Sequence, residues 1–128
     1  MEVDQMLSLR QHQALTCLSY LQHCAVQKQT ITYESLAIIL GMPSKGNAMV
    51  TAISRTLYDV FNFCEKAQLP HLTVLVVRKS GKDVGLPGSG FWKVYLKDES
   101  PSLEYRVEET EKLTGEIYRL FDNFAKGQ

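Results

Sequence analysis

The chain has 128 residues, of which 45% are hydrophobic and 22% are charged, and its formal net charge at pH 7 is zero. This length and apolar content predict a single domain spanning residues 1–128 with its own hydrophobic core. A zero net charge gives no bulk electrostatic support to nucleic-acid binding, and no apolar run approaches the roughly 18 residues that a membrane span needs.

Two helices joined by a short extended link are predicted near the start of the chain. From about Asp4 to Gln27, apolar residues recur at intervals of three, four or seven, as on a helix with one buried face. A second helix is predicted over Tyr33–Leu40. Thr32 is its expected N-cap, and Gly41 is expected to take the left-handed conformation just after its end.

A third helix is predicted after a tight turn. Pro43 forbids immediate continuation of the second helix, and Ser44 is the expected N-cap of the third. The third helix is expected to start at Lys45 or Gly46 and to end near Ala67. Its apolar stripe consists of Met49, Ile53, Leu57, Val60 and Cys64, and Val50 and Phe61 widen it. Two helices joined by such a turn form the local unit of many DNA-binding proteins.

A β-hairpin is predicted next. The continuously apolar, β-branched Leu72–Val77 is typical of a buried strand. Residues 80–90 contain four glycines and one proline, which predict a loop. Phe91–Leu96 alternates in the manner of an antiparallel return strand, so the two strands and the loop would form a wing.

A long helix is predicted at the C-terminus. Ser100 and Pro101 form a helix-start signal, and the helix is expected to end before Gly127. Its expected inward stripe consists of Leu103, Val107, Thr110, Leu113, Ile117, Leu120 and Phe124. The element order as a whole predicts an α+β, winged-helix-like fold: helices, a β-hairpin and a C-terminal helix.

The segment Thr30–Ile53 resembles a known family. It is similar, without gaps, to the winged-helix DNA-binding part of the O6-alkylguanine-DNA alkyltransferases and alkyltransferase-like proteins. The matching residues are Thr30, Thr32, Tyr33, Leu36, Ala37, Gly41 and Pro43, then Ala48 and Ala52. Leu69-Pro70, an apolar strand and a glycine-rich loop follow in the family's order, so the resemblance covers residues 30–90, about half of the chain.

The reactive segment of that family is missing. Where the family has Pro-Cys-His-Arg or Pro-Trp-His-Arg, alignment from Leu69-Pro70 places Leu75, Val76 and Val77. Neither a thiolate nor an imidazole is available there for alkyl transfer, so a protein that is not an enzyme is predicted. Asn47 stands where the family has a recognition-helix arginine. Tyr33 matches the tyrosine that the family uses to rotate a nucleotide, although an aromatic at a helix start is also typical of a core.

The first functional hypothesis is nucleic-acid binding, with duplex DNA as the partner. Residues 41–97 carry eight Lys or Arg against three Asp or Glu, a net charge of +5. Side chains of the third helix would contact the DNA groove, and those of the wing would bind phosphates. The candidate residues are Tyr33, Ser44, Lys45, Asn47, Thr51, Arg55, Arg78, Lys79 and Lys82. The alternative is that they form only the solvated side of an amphipathic helix and its neighbouring loop.

The second hypothesis is a small immunity or inhibitor-type protein. Residues 98–128 carry four Lys or Arg against eight Asp or Glu, a net charge of −4. Glu104, Glu108 and Glu111 share one face of the C-terminal helix by their spacing. They would mimic phosphates toward a basic partner protein, such as a nucleic-acid-acting toxin or defence enzyme. An ordinary solvated helix face is again the alternative.

Cysteine and histidine chemistry gives no positive signal. Cys17, Cys24 and Cys64 contain no closely spaced pair, so neither a disulfide framework nor a metal site is expected. The glycine-rich loop leads into another predicted strand, so no small-molecule cofactor or phosphate site is expected there. The N-terminus lacks a signal-peptide pattern, and a cytoplasmic protein with buried thiols is predicted.

Overall fold

The computed structural model describes residues 8–97 and 101–126, with side chains to residue 123. This part of the chain contains five α-helices, a short 3-10 helix and two strands of two residues each. In chain order they are α1 (Leu9–Gln27), β1 (Ile31–Thr32), α2 (Tyr33–Ile39), α3 (Gly46–Ala67), the 3-10 helix (Leu72–Leu75), β2 (Val76–Val77), α4 (Ser89–Leu96) and α5 (Leu103–Lys126). The protein is therefore mostly helical with a small sheet, an α+β arrangement in the coarse sense.

The first helix starts later than predicted. Ser8 is extended and forms a capping box, in which its hydroxyl oxygen accepts the N–H of Gln11 at 3.1 Å and its own N–H donates to the Gln11 side chain at 2.8 Å. This reciprocal pair satisfies helix-end donors and fixes the start at Leu9. The predicted first residue, Asp4, lies outside the described part of the chain.

The second and third helices and the turn between them are present. Thr32 caps α2 as predicted, because its hydroxyl oxygen accepts the N–H of Ser35 at 3.2 Å. Gly41 has the predicted left-handed backbone, with φ of +70°. The expected cap of α3 is wrong: the chain is still extended at Lys45, which takes the N-cap position instead of Ser44. The end of α3 at Ala67 agrees with the prediction.

The predicted hairpin wing is wrong. β2 pairs in parallel with β1, with Ile31 opposite Val76 and Thr32 opposite Val77. Leu72–Leu75 is a 3-10 helix because the N–H groups of Val74 and Val76 donate to the carbonyls three residues back, those of His71 and Thr73. The predicted burial of the whole segment 72–77 is nevertheless confirmed.

The predicted return strand is the helix α4. The rings of Phe91 and Tyr95 stack with centroids 5.3 Å apart. Residues four apart lie close together on a helix but about 13 Å apart along a strand, so this contact requires the helical form. Trp92 is buried beside them, and its indole N–H donates to the carbonyl of Pro87 at 3.3 Å.

Helix α5 begins at Leu103, after the predicted Pro101, because the Ser102 hydroxyl caps the N–H of Tyr105 at 3.1 Å. Ser100 lies outside the described residues, as does the side chain of Phe124. The inward face is formed by Thr110, Leu113, Ile117 and Phe121. The predicted inward residues Leu103, Val107 and Leu120 are exposed. The first turns of α5 contact α4 and the loop after β2 through Tyr105, Arg106 and Glu109 instead of Leu103 and Val107.

The core joins the long helices to the central 3-10 segment. Its most deeply buried members include Cys17, Leu21 and Cys24 of α1, Ile53, Val60 and Cys64 of α3, Leu72, Val74 and Leu75 of the 3-10 helix, and Ile117 of α5. This packing fixes one side of α3 and leaves the other side open. None of the described helices is long and apolar enough to cross a membrane.

Candidate functional site

The outer face of α3 carries the polar residues predicted for groove contact. Lys45, Asn47, Thr51 and Arg55 are all exposed, and the last three follow one another at intervals of four residues. They therefore share one face of the helix. No side chain caps the first turn of α3, so its N–H groups lie beside this face with the positive end of the helix dipole. Ser44, in the preceding turn, is half-buried.

The loop after β2 carries the other predicted basic residues. Arg78, Lys79 and Lys82 are exposed. Two backbone hydrogen bonds close the loop: the N–H of Arg78 donates to the carbonyl of Leu86 at 2.9 Å, and the N–H of Gly85 donates to the carbonyl of Arg78 at 2.8 Å. The loop thus has a defined backbone conformation, but it does not form the predicted β-hairpin wing.

The charges on this loop are not equally available. The Lys79 ammonium contacts both carboxylate oxygens of Glu34 at 2.9 Å, which offsets its charge locally. Among the residues that the structure describes, no carboxylate forms an ion pair with Arg78 or Lys82. Arg78 and Lys82 are therefore the stronger candidates for binding an external anion.

Tyr33 joins α2 to the start of α4. Its hydroxyl oxygen accepts the N–H of Gly88 at 2.7 Å. A Cβ atom at Gly88 would lie 3.2 Å from the same oxygen, so glycine permits this close approach. Burial raises the pKa of Tyr33 above its ordinary value. The side chain is half-buried and engaged with the protein, unlike the exposed residues of α3.

A cavity of about 510 Å³ lies between α3, the loop after β2 and the start of α4. Its lining includes Met49, Val50, Ile53, Ser54, Leu57, Tyr58 and Phe61 of α3, Arg78, Lys79 and Ser80 of the loop, and Ser89, Gly90, Phe91 and Val94 of α4. This cavity was not predicted. Tyr58 is an available signal, because it is aromatic but lies outside the predicted apolar stripe of α3.

No model of a protein family, no curated protein and no solved structure matches this chain. The likeness to the alkyltransferase family therefore stays a prediction carried by the sequence of residues 30–90.

The acidic residues of the second hypothesis lie on the surface of α5. Glu104, Glu108 and Glu111 are exposed. Glu109 differs from them, because the Tyr95 hydroxyl donates to its carboxylate. Arg106, on the same stretch of helix, forms an ion pair with Asp83 of the loop at 3.0 Å. The acidic face is thus adjacent to a contact that holds α5 to the loop.

The thiols are poorly placed for chemistry. Cys17, Cys24 and Cys64 are buried and unpaired with one another, and burial raises the pKa of Cys17 to about 12. A thiol with that pKa stays protonated near neutrality and is a weak nucleophile and metal ligand. Within residues 8–97 and 101–126, no three His, Cys, Asp or Glu side chains are grouped closely enough to hold a metal ion.

Proposed function

We propose that this protein is a non-catalytic module that binds duplex nucleic acid through the outer face of α3. The observation that carries the proposal is the exposure of Lys45, Asn47, Thr51 and Arg55 at the start of a helix that follows a tight turn. An α-helix is about 10–12 Å wide with its side chains, and the major groove of DNA is about 12 Å wide.

Each residue of this face has a distinct role in the proposal. Lys45 and Arg55 attract phosphates, and the Asn47 amide pairs with a base edge, for which adenine is the best match. Thr51 lies between them and contacts phosphate or a base edge. Arg78 and Lys82 extend the positive surface beyond the helix. Tyr33 and Lys79 contribute less, since Gly88 and Glu34 already engage them.

The finer fold belongs to the same proposal. We infer a helix-turn-helix domain akin to the winged-helix group, in which the loop after β2 and helix α4 stand where a hairpin wing was expected. Support comes from the Thr32 cap and the Gly41 turn, both of which belong to the alkyltransferase-like motif.

The test is titration of a fluorescently labelled DNA duplex at low salt, read by anisotropy. Binding is expected to weaken as salt rises, because protein cations displace counterions from the DNA. The double substitution Lys45→Glu and Arg55→Glu is expected to weaken binding by at least about tenfold. The matched control, Lys112→Glu with Arg119→Glu, makes the same change of charge at exposed sites on α5 and is expected to leave binding within about twofold.

Two results would reject the proposal. One is an anisotropy that stays flat up to protein concentrations on the order of tens of micromolar at low salt. The other is an equal loss in both double variants, which would mean that net charge and not this face determines binding.

A second candidate function rests on the acidic face of α5. Glu104, Glu108 and Glu111 are exposed on one side of α5, and Leu103 and Val107 lie exposed beside them. Such a surface suits an inhibitor that binds a basic protein. Affinity capture from the host should then recover one stoichiometric partner with the wild-type chain. The variant with all three glutamates changed to glutamine should lose that partner, and retention would contradict this function.

A further inference from the structure

The cavity beside α3 has the size and lining of a small-molecule site. Its volume of about 510 Å³ falls within the range of about 300–1,000 Å³ that is typical of ligand pockets. The apolar part of its wall includes Ile53, Leu57, Phe61, Phe91 and Val94. Phe61 and Phe91 meet edge to face with centroids 6.2 Å apart, so they offer a ligand an aromatic wall that is already fixed.

Two side chains at the cavity remain in contact with water. Val50 is 54% exposed and Tyr58 is 50% exposed, although both line the cavity. A bound molecule would cover them and remove their apolar surface from water, which favours binding. A ligand with an apolar or aromatic body matches this part of the site.

The charges at the rim of the cavity indicate which polar group the ligand carries. Lys79 and Glu34 both line the cavity and neutralise each other. Arg78 lines it too, and no carboxylate within the described ranges pairs with its guanidinium. One uncompensated positive charge therefore remains. A guanidinium matches the geometry of a carboxylate through two parallel hydrogen bonds.

The wall also contains unused hydrogen-bonding groups. Thr73 lines the cavity and is only 4% exposed, and its hydroxyl finds no hydrogen-bond partner in the described structure. Buried polar atoms are nearly always paired, so an unpaired one calls for an explanation. At the start of α4, Ser89 and Gly90 lie in the wall, and no side chain caps their turn of helix.

From these observations we propose that the cavity binds a small organic molecule with an apolar or aromatic body and a single oxyanion such as a carboxylate. The body lies against Phe61, Phe91 and Val50, and the oxyanion pairs with Arg78. Thr73 and the start of α4 offer it further hydrogen bonds. This site does not depend on nucleic-acid binding by the outer face of α3.

The experiment uses two fluorescent probes of similar shape and different charge. Anilinonaphthalene sulfonate carries an aromatic body and one oxyanion, and phenylnaphthylamine is its neutral counterpart. Arg78→Gln is expected to lower the affinity for the sulfonate by about tenfold and to leave that for the neutral probe within about twofold. Lys82→Gln, on the same loop but outside the cavity lining, is expected to change neither affinity by more than about twofold.

A second variant tests the position of the aromatic body. Val50→Trp places a large side chain at the open mouth of the cavity. It is expected to lower the affinity for both probes by about tenfold, because the indole occupies the space of the ligand. Arg78 and Val50 are both exposed, so Arg78→Gln and Val50→Trp should fold. Circular dichroism checks this. Amide chemical shifts should change most at Thr73 and Gly90 when the sulfonate is added. The proposal would be overturned if the affinity for each probe were the same in the wild type, in Arg78→Gln and in Val50→Trp. It would also be overturned if the chemical-shift changes were confined to residues away from the cavity.

Discussion

At the scale of single residues, Thr73 is a buried polar residue whose hydroxyl lacks a hydrogen bond. Its hydroxyl is enclosed without a partner among the described residues. Replacing an unpaired buried hydroxyl by a methyl group of similar volume removes a cost of desolvation. We therefore expect Thr73→Val to raise the free energy of unfolding by about 1 kcal/mol, as measured by urea denaturation of the ligand-free protein.

A second substitution tests a hydroxyl that does have a hydrogen-bond partner. Tyr33 is half-buried, and its hydroxyl accepts the N–H of Gly88. Tyr33→Phe should lower the free energy of unfolding by about 1 kcal/mol, since it leaves that N–H without its acceptor. If Thr73→Val were instead as destabilising as Tyr33→Phe, the Thr73 hydroxyl would have a partner in solution and would not be an unused group of the cavity.

At the scale of elements, the turn between α2 and α3 depends on the backbone of one glycine. Gly41 has φ of +70°, and no atom lies within 4 Å of the position that its Cβ would take. Gly41→Ala should therefore lower the free energy of unfolding by about 1–2 kcal/mol through backbone strain alone. Gly90, within α4, has equally open space and no positive φ. Gly90→Ala should raise stability by about 0.5–1 kcal/mol, because alanine favours a helix.

Thermal and urea unfolding of the two glycine variants checks this pair. A gain in stability for Gly41→Ala would show that the turn does not hold its left-handed conformation in solution.

The same elements show what the sequence was able to predict. Thr32 and Gly41 are local signals, so the start of α2 and the turn after it could be predicted from a few neighbouring residues. Phe91–Leu96 is too short for its alternation to distinguish a strand from a buried helix, and packing in the core decided for α4. Tyr58 is only a local signal of the cavity, and the walls as a whole could not be predicted because they come from α3, the loop and α4, which only the tertiary fold brings together.

At the scale of the whole molecule, buried acidic groups link stability to alkaline pH. Burial raises the pKa of Cys17 to about 12 from its ordinary value of 9.0, and it also raises the pKa values of Cys24 and Cys64. The unfolded chain then loses these protons at lower pH than the folded protein does. The stabilisation is fully present below pH 9 and falls as pH rises toward 12.

Urea unfolding under reducing conditions should therefore show a free energy that falls by at least about 1 kcal/mol between pH 9 and pH 10. Cys17→Ala should reduce this slope because it removes one of the linked thiols. Ile117→Val is the matched control: it also deletes one heavy atom from the buried core but removes no titrating group. It should lower stability at every pH and leave the slope unchanged. The same slope in both variants would mean that Cys17 ionises as readily in the fold as in the unfolded chain, which its complete burial should prevent.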